Sequence, residues 1–245
     1  MQNYKLVIEY DGTDYFGWQR QKNKSKTIQE TIERSLKKVT GNDITLTAAG
    51  RTDTGVHAAN QAANFRTNSI ITDKRSLLYS LNSVLPDTIT IKNIIRVPED
   101  FHARYSAKGK EYIYRISGRK RSLGANYYTI LTYDLDYDII NELTEFFKGD
   151  HSFKSLCKNS DDKHDFRCNV TKFNHTKKDR GNELIFSIEA NRFLHSMIRA
   201  LLGCVIDTAR GKLDIQEVKK KFLKGEKIKT TYLPAKGLIL NKIYY

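Results

Sequence analysis

No stretch of the 245 residues approaches the roughly 20 consecutive apolar residues that a membrane-crossing helix needs. The long apolar core of a signal peptide is also missing. The first residues, MQNYKLVIEYDG, go straight into a strand pattern. Cysteine is scarce and odd in number, with Cys157, Cys168 and Cys204 forming no C-x-x-C pair, which argues against a disulfide scaffold and for a reducing compartment. Together these absences predict a cytoplasmic protein. Cys157, His164, Cys168 and His175 lie near one another, but their spacings fit none of the usual zinc patterns, so no metal is expected.

A second Asp-Thr-Gly triplet is missing too. The one copy, at Asp53, sits in Ala48–His57, AAGRTDTGVH. Aspartic-protease chemistry needs two carboxylates sharing a proton, hence two such triplets or a short homodimeric chain, and this chain satisfies neither. Arg51 also stands close by, and a guanidinium there would hold Asp53 ionised and oppose proton sharing. Asp53 is therefore a turn residue or a nucleophile of another chemistry, and the loop itself leaves both open. Arg51, Asp53 and His57 nevertheless put three kinds of polar group into one short loop between two strand candidates, where sites tend to be placed.

What the chain has in quantity is positive charge. Lys and Arg number 42 against 28 Asp and Glu, a net +14. That excess is the electrostatic footprint of a nucleic-acid partner, because each neutralised phosphate releases condensed counterions. Clusters such as Arg119-Lys120-Arg121 and Lys219-Lys220-Lys221 also fit a merely solvated face. A hydrophobic share of 39% is globular, and the length suits one large domain or two small ones.

Periodicity predicts a strand over Lys5–Tyr10, and then a helix over about Thr27–Thr40 with Ile28, Ile32, Leu36 and Val39 on one face. Thr27 and Glu30 form a capping box and Gly41 a stop. Strands over Ile44–Ala48 and Gln61–Arg66 follow, a helix from Asp73 is stopped by Pro86, and a β-rich run covers Thr88–Ile95. The order is βαββαβ, the ferredoxin-like arrangement. The second half reads similarly. Strands are expected over Glu111–Ile116, Phe166–Thr176, Glu183–Glu189 and Gly237–Tyr244, with helices over Asp138–Lys148, about Arg192–Ala209 and Asp214–Leu223. The fold class is α+β, with domains 1–105 and 106–245 meeting near Pro98–Ala107.

Six stretches then resemble, in order, the TruA family of tRNA pseudouridine synthases. They are YDGTDYFGWQRQ (Tyr10–Gln21), AGRTDTGVHA (Ala49–Ala58), PEDFHARYSA (Pro98–Ala107), KEYIYRI (Lys110–Ile116), NRFLHSMIRALLG (Asn191–Gly203) and AKGLIL (Ala235–Leu240). The resemblance implies two ferredoxin-like halves joined into a central, mostly antiparallel sheet flanked by helices, with a basic cleft between them. It implies a homodimer holding tRNA across both subunits, no metal and no organic cofactor. The implied reaction is isomerisation of uridine to pseudouridine at tRNA positions 38, 39 and 40, in the anticodon stem and loop.

By motif, Asp53 matches the nucleophilic aspartate, attacking either C1′ or the C6 edge of the base. Tyr112 matches the active-site tyrosine that packs on the target base, though a strand tyrosine facing the core is the equal alternative from the residues alone. Arg199 matches the basic residue that pairs with the aspartate, and it is a lone cation among apolar helix positions. Arg51 matches the arginine that helps turn the base out of the stack. Gln19, Arg20 and Arg104 match positions along the RNA path, with a structural role at the domain joint as the alternative for Arg104; Trp18 reads as packing. Thr54 and Ser196 depart from the family's common alanine and histidine, and Cys157–Arg180 is divergent. The competing class is a non-catalytic RNA-binding module of duplicated ferredoxin-like domains. No stretch carries the glycine-aromatic RNP1 signature of such modules.

Overall fold

The structure is a computed structural model that describes residues 1–23, 26–68, 70–158 and 165–245. Two compact units are present. One comprises Met1–Lys108 with Ile239–Tyr245, the other Gly109–Leu238.

In the first unit, β1 (Gln2–Tyr10) pairs antiparallel with both β3 (His57–Thr67) and β4 (Ile89–Val97), while β2 (Thr47–Ala48) lies antiparallel on the far edge of β3. The resulting order, β4-β1-β3-β2, is that of a ferredoxin-like sheet. Two helices accompany it, α1 (Ile28–Thr40) and α2 (Lys74–Val84). Of the α1 signals the N-cap and the stop act as predicted, while the reciprocal half of the capping box is not made: Glu30 Oε1 accepts from Arg34 and, among the described residues, its Oε2 has no hydrogen-bond partner. Thr27 Oγ1 accepts the Glu30 N–H at 3.4 Å, and Gly41, left-handed at φ +74, donates its N–H to Lys37 O. Ile28, Ile32 and Leu36 are fully buried.

Two strands differ from the sequence expectation. β2 has two residues rather than five, because the Leu46 N–H is taken by a side chain, Glu33 Oε1 at 2.9 Å, and not by a neighbouring strand. β3 starts four residues early, since after an irregularity at Ile8/Tyr10 its register with β1 continues to Ala58 opposite Tyr10.

In the second unit, β5 (Gly109–Ser117), β9 (Glu183–Ala190), β8 (Arg167–Lys178) and β7 (Gly149–Ser152) follow one another as antiparallel neighbours, with the short β6 (Thr129–Ile130) parallel to β5. Helices α3 (Tyr137–Phe146), α4 (Met197–Ala209) and α5 (Ile215–Leu223) complete it. α4 begins at Met197 and not near Arg192, because Ser196 adopts a left-handed conformation at φ 55 that helical backbone cannot include.

The last strand, β10 (Leu238–Tyr244), was expected to close the second half. Its residues from Ile239 onward group with the first unit, where Ile239 and Leu240 pair in parallel with His57 and Ala58. The Lys108 N–H donates to Tyr244 O, and the Tyr245 hydroxyl donates to Ala103 O.

Candidate active site

The loop between β2 and β3 carries Arg51, exposed, and Asp53, half-buried. A second loop, Asp11–Gln21, fixes it through backbone groups. The Trp18 N–H donates to Thr52 O at 3.1 Å, and the Gly55 N–H donates to Tyr15 O at 3.4 Å. Within the Asp53 loop, the Val56 N–H donates to Asp53 O at 3.1 Å, closing a tight turn around the carboxylate-bearing residue. At its base, Gln61 Nε2 donates to Gly50 O at 2.9 Å.

Gly17 makes this approach possible. It sits at φ +79, and a Cβ built on it would lie 2.5 Å from Thr52 O, closer than any side chain can come. Beside it, the Tyr10 hydroxyl meets Thr52 Oγ1 at 2.8 Å, with both residues buried. Burial, opposed by hydrogen bonding to Thr52 and Gln61, pushes the Tyr10 phenol up to about 12. Trp18 is buried too, 1% exposed, with its ring tilted against Tyr10, so it packs as the sequence reading assigned it.

His57 is not a third loop group. It is the first residue of β3, 2% exposed, and its Nδ1 accepts the Gly12 N–H at 3.0 Å. Asp11 Oδ1 lies 3.1 Å from the same nitrogen. A nitrogen that accepts an amide N–H has no proton for a carboxylate, so the Gly12 bond describes the neutral ring and the Asp11 contact would become an ion pair only on protonation.

Of the remaining first-unit residues, Gln19 is half-buried and Arg20 exposed, both directly after Trp18. Arg20 is held by Gln29 and Glu33 of α1, two residues that sequence reasoning missed. The available signal was a pair of polar side chains at i and i+4 beside Ile28, Ile32 and Leu36 on the face α1 buries. Arg104 is exposed at a turn in which His102 Nδ1 accepts its N–H, and its guanidinium stands 5.7 Å from the Tyr105 ring centre. The Ala103 N–H donates to Asn64 Oδ1, which fastens this turn to β3.

Tyr112 and Arg199 belong to the second unit. Tyr112, on β5, is 7% exposed, and its ring meets Phe193 edge-on at 5.3 Å. Tyr114 on the same face is deeper. Its hydroxyl donates to Pro234 O at 2.8 Å, which leaves the Thr129 hydroxyl, 2.5 Å away, as donor to the tyrosine oxygen. Burial raises the Tyr114 phenol well above the ordinary range, against the opposing pull of Thr129 and the Arg199 guanidinium.

Arg199, half-buried on the first turn of α4, donates from Nε to Leu233 O at 2.7 Å, while the Leu233 N–H returns a bond to Arg199 O. This reciprocal tie fixes the guanidinium plane. The segment bearing Leu233 is pressed against α4 at Gly203, where a Cβ would lie 1.6 Å from Thr231 O. It is pinned there by buried Asp207, which accepts from Thr231 N–H, Thr230, Lys212 and Arg210. Burial alone would raise the Asp207 carboxyl, but these donors hold it below the usual carboxylate range.

Cys157 and Cys168 are buried, and His164 lies outside the described residues, as does part of the divergent Cys157–Arg180 segment. Among the described residues, no helix is long and apolar enough to cross a membrane.

A family model described as tRNA pseudouridine synthase matches residues 6–106 and 144–245. The chain is 43% identical over 250 residues to the tRNA pseudouridine synthase A of Caldicellulosiruptor bescii, each covered in full. It is 38% identical to the protein of that name from Acetivibrio thermocellus and 40% to that of Caldicellulosiruptor saccharolyticus, again with both chains of each pair covered in full.

Proposed function

We propose, from the premise that the chain belongs to the tRNA pseudouridine synthase family, that it isomerises uridine to pseudouridine in tRNA, with Asp53 as its nucleophile. The observation that carries the assignment is the Asp53 loop itself. That loop is joined backbone-to-backbone to a second motif loop through Trp18–Thr52 and Tyr15–Gly55, inside the stretch the family model matches. Such a clamp preorganises a reacting group, where an ordinary turn needs no outside support.

In the reaction the bond between C1′ and N1 breaks, the uracil turns, and a bond forms between C1′ and C5. The C5 proton leaves to solvent and N1 takes one up, so the atoms balance with no oxidant or reductant. A carboxylate holds one fragment covalently while the other turns. Arg51, exposed beside Asp53, is suited to displace a stacked base, as any chemistry on a base inside a stack requires. Tyr112 offers a ring for the target base, and Arg199 supplies an oriented positive charge. Gln19, Arg20 and Arg104 lie along the RNA backbone. The net charge of +14 supports a polyanionic substrate. The target uridines are those at positions 38, 39 and 40 of the anticodon stem and loop. The working form is a cytoplasmic homodimer carrying one tRNA across both subunits, without metal or organic cofactor.

The test is tritium release from tRNA labelled at uridine C5. An isomerase releases tritium to water, and a protein that only binds RNA releases none. Mapping pseudouridine in the product tests the positions, and conversion in a distant loop would defeat the target assignment while leaving the reaction standing.

A further inference from the structure

We propose that Glu33 is a positioning residue that aims Arg20 at the RNA backbone, an inference that rests on the reading of Arg20 as an RNA contact. Arg20 is held at both ends. Its main-chain N–H donates to Gln29 Oε1 at 3.1 Å, and its Nη1 donates to Glu33 Oε2 at 3.1 Å. The other Glu33 oxygen accepts from Gln29 Nε2 and from the Leu46 N–H, both at 2.9 Å. The Glu33 side chain is 8% exposed, whereas that of Arg20 is 55% exposed.

The arrangement is directional. One carboxylate oxygen is saturated by groups of the fold, Gln29 and the segment that leads into the Asp53 loop. The second is turned outward and spent on an exposed arginine. For stability the fold uses Oε1, which satisfies the buried Leu46 N–H and the Gln29 amide, whereas the outward Oε2 adds little, because an ion pair to an arginine that is largely exposed contributes little. What the carboxylate does that an apolar side chain cannot is hold a guanidinium in one orientation before the phosphate arrives. Ordering a long side chain in advance removes a cost of association, about 0.5–1.5 kcal/mol per immobilised rotamer-rich side chain, or roughly 2- to 12-fold in affinity.

Positioning and simple electrostatics predict opposite signs. Glu33→Gln removes a negative charge near a polyanion site, which by charge alone tightens tRNA binding. A glutamine that keeps the Leu46 N–H bond on its carbonyl oxygen turns its NH2 toward Arg20, donor against donor, and releases the arginine. The experiment is a double-mutant cycle on tRNA affinity and turnover with Glu33→Gln, Arg20→Ala and the pair. Arg20→Ala should weaken binding about tenfold, as loss of a charged hydrogen bond. Glu33→Gln should weaken it about threefold with kcat unchanged, and the pair should be no weaker than Arg20→Ala alone.

Tighter or unchanged binding in Glu33→Gln overturns the proposal, and so do additive losses. Arg20→Ala without effect overturns it together with the Arg20 assignment, and leaves uridine isomerisation untouched. If Glu33→Gln does not fold, Glu33→Asp, which keeps the charge and shortens the reach to Arg20, should also weaken binding, and tighter or unchanged binding in it overturns the proposal.

Discussion

The hydroxyls of Tyr10 and Thr52 meet at 2.8 Å, both inside the protein, one residue before Asp53. Burial pushes the Tyr10 phenol up to about 12 in the folded chain, against about 10 when unfolded. A group with a raised folded pKa contributes stability that is complete below the unfolded value and is lost as pH climbs through the folded one. At pH 11 the loss attributable to Tyr10 is on the order of 1 kcal/mol. Tyr10→Phe should therefore lose less stability between pH 8 and pH 11 than the wild type, measured as the shift in urea midpoint. At pH 8 it should already be weaker by roughly 1–3 kcal/mol, because it strands the buried Thr52 hydroxyl. Equal pH losses in both proteins would refute the burial of that phenol.

Asp53→Asn keeps the size and turn preferences of the residue and removes its charge and nucleophilicity. It should fold, bind tRNA at least as tightly as the wild type, and release no detectable tritium. Near-normal release would reduce Asp53 to a turn residue.

Gly17→Ala tests the clamp. The new methyl has no room against Thr52 O, and the backbone angle is unfavourable for any side chain. The Asp53 loop must shift, and displacement of a reacting group by about 1 Å costs on the order of a hundredfold in turnover. Assayed well below the melting temperature, kcat should drop by that order while tRNA affinity holds. Full turnover in a folded variant would show that the clamp is not used in catalysis.

Arg199→Lys preserves the charge and loses the Nε donor to Leu233 O. Turnover should fall about tenfold or more, the value of a charge-assisted bond, with KM for tRNA little changed. A lysine variant with wild-type kcat would mean that charge suffices without orientation.

Affinity for tRNA should fall steeply with salt, with a log–log slope near −0.7 to −0.9 for each phosphate contact. Isothermal titrations from about 50 to 200 mM salt measure it. A flat response would leave the net +14 as a solvated surface and nothing more.

The helices with caps were legible because their signals are local: Thr27, Gly41 and Asp73 act on neighbours within four residues. That Asp53 lies on a loop was legible from the strand candidates on either side of it. What sequence could not supply depended on distant partners. Nothing near Leu46 says that its N–H belongs to Glu33, which is what shortens β2. Nor does the type of Ser196 announce the left-handed backbone that delays α4. Leu233, a plain apolar residue, serves Arg199 through its carbonyl, a group every residue has. Contacts made by main chain leave no mark in side-chain identity.

The parallel partner of His57 and Ala58 has a temporal consequence. β3 leads directly out of the Asp53 loop, yet the strand beside its first residues is made only after all of Gly109–Leu238 has been synthesised. At about 5–20 residues per second, the first unit waits roughly ten seconds on the ribosome with that edge open. A nascent chain in this interval carries the motif loop on a sheet that still lacks the pairing of His57 and Ala58 with β10.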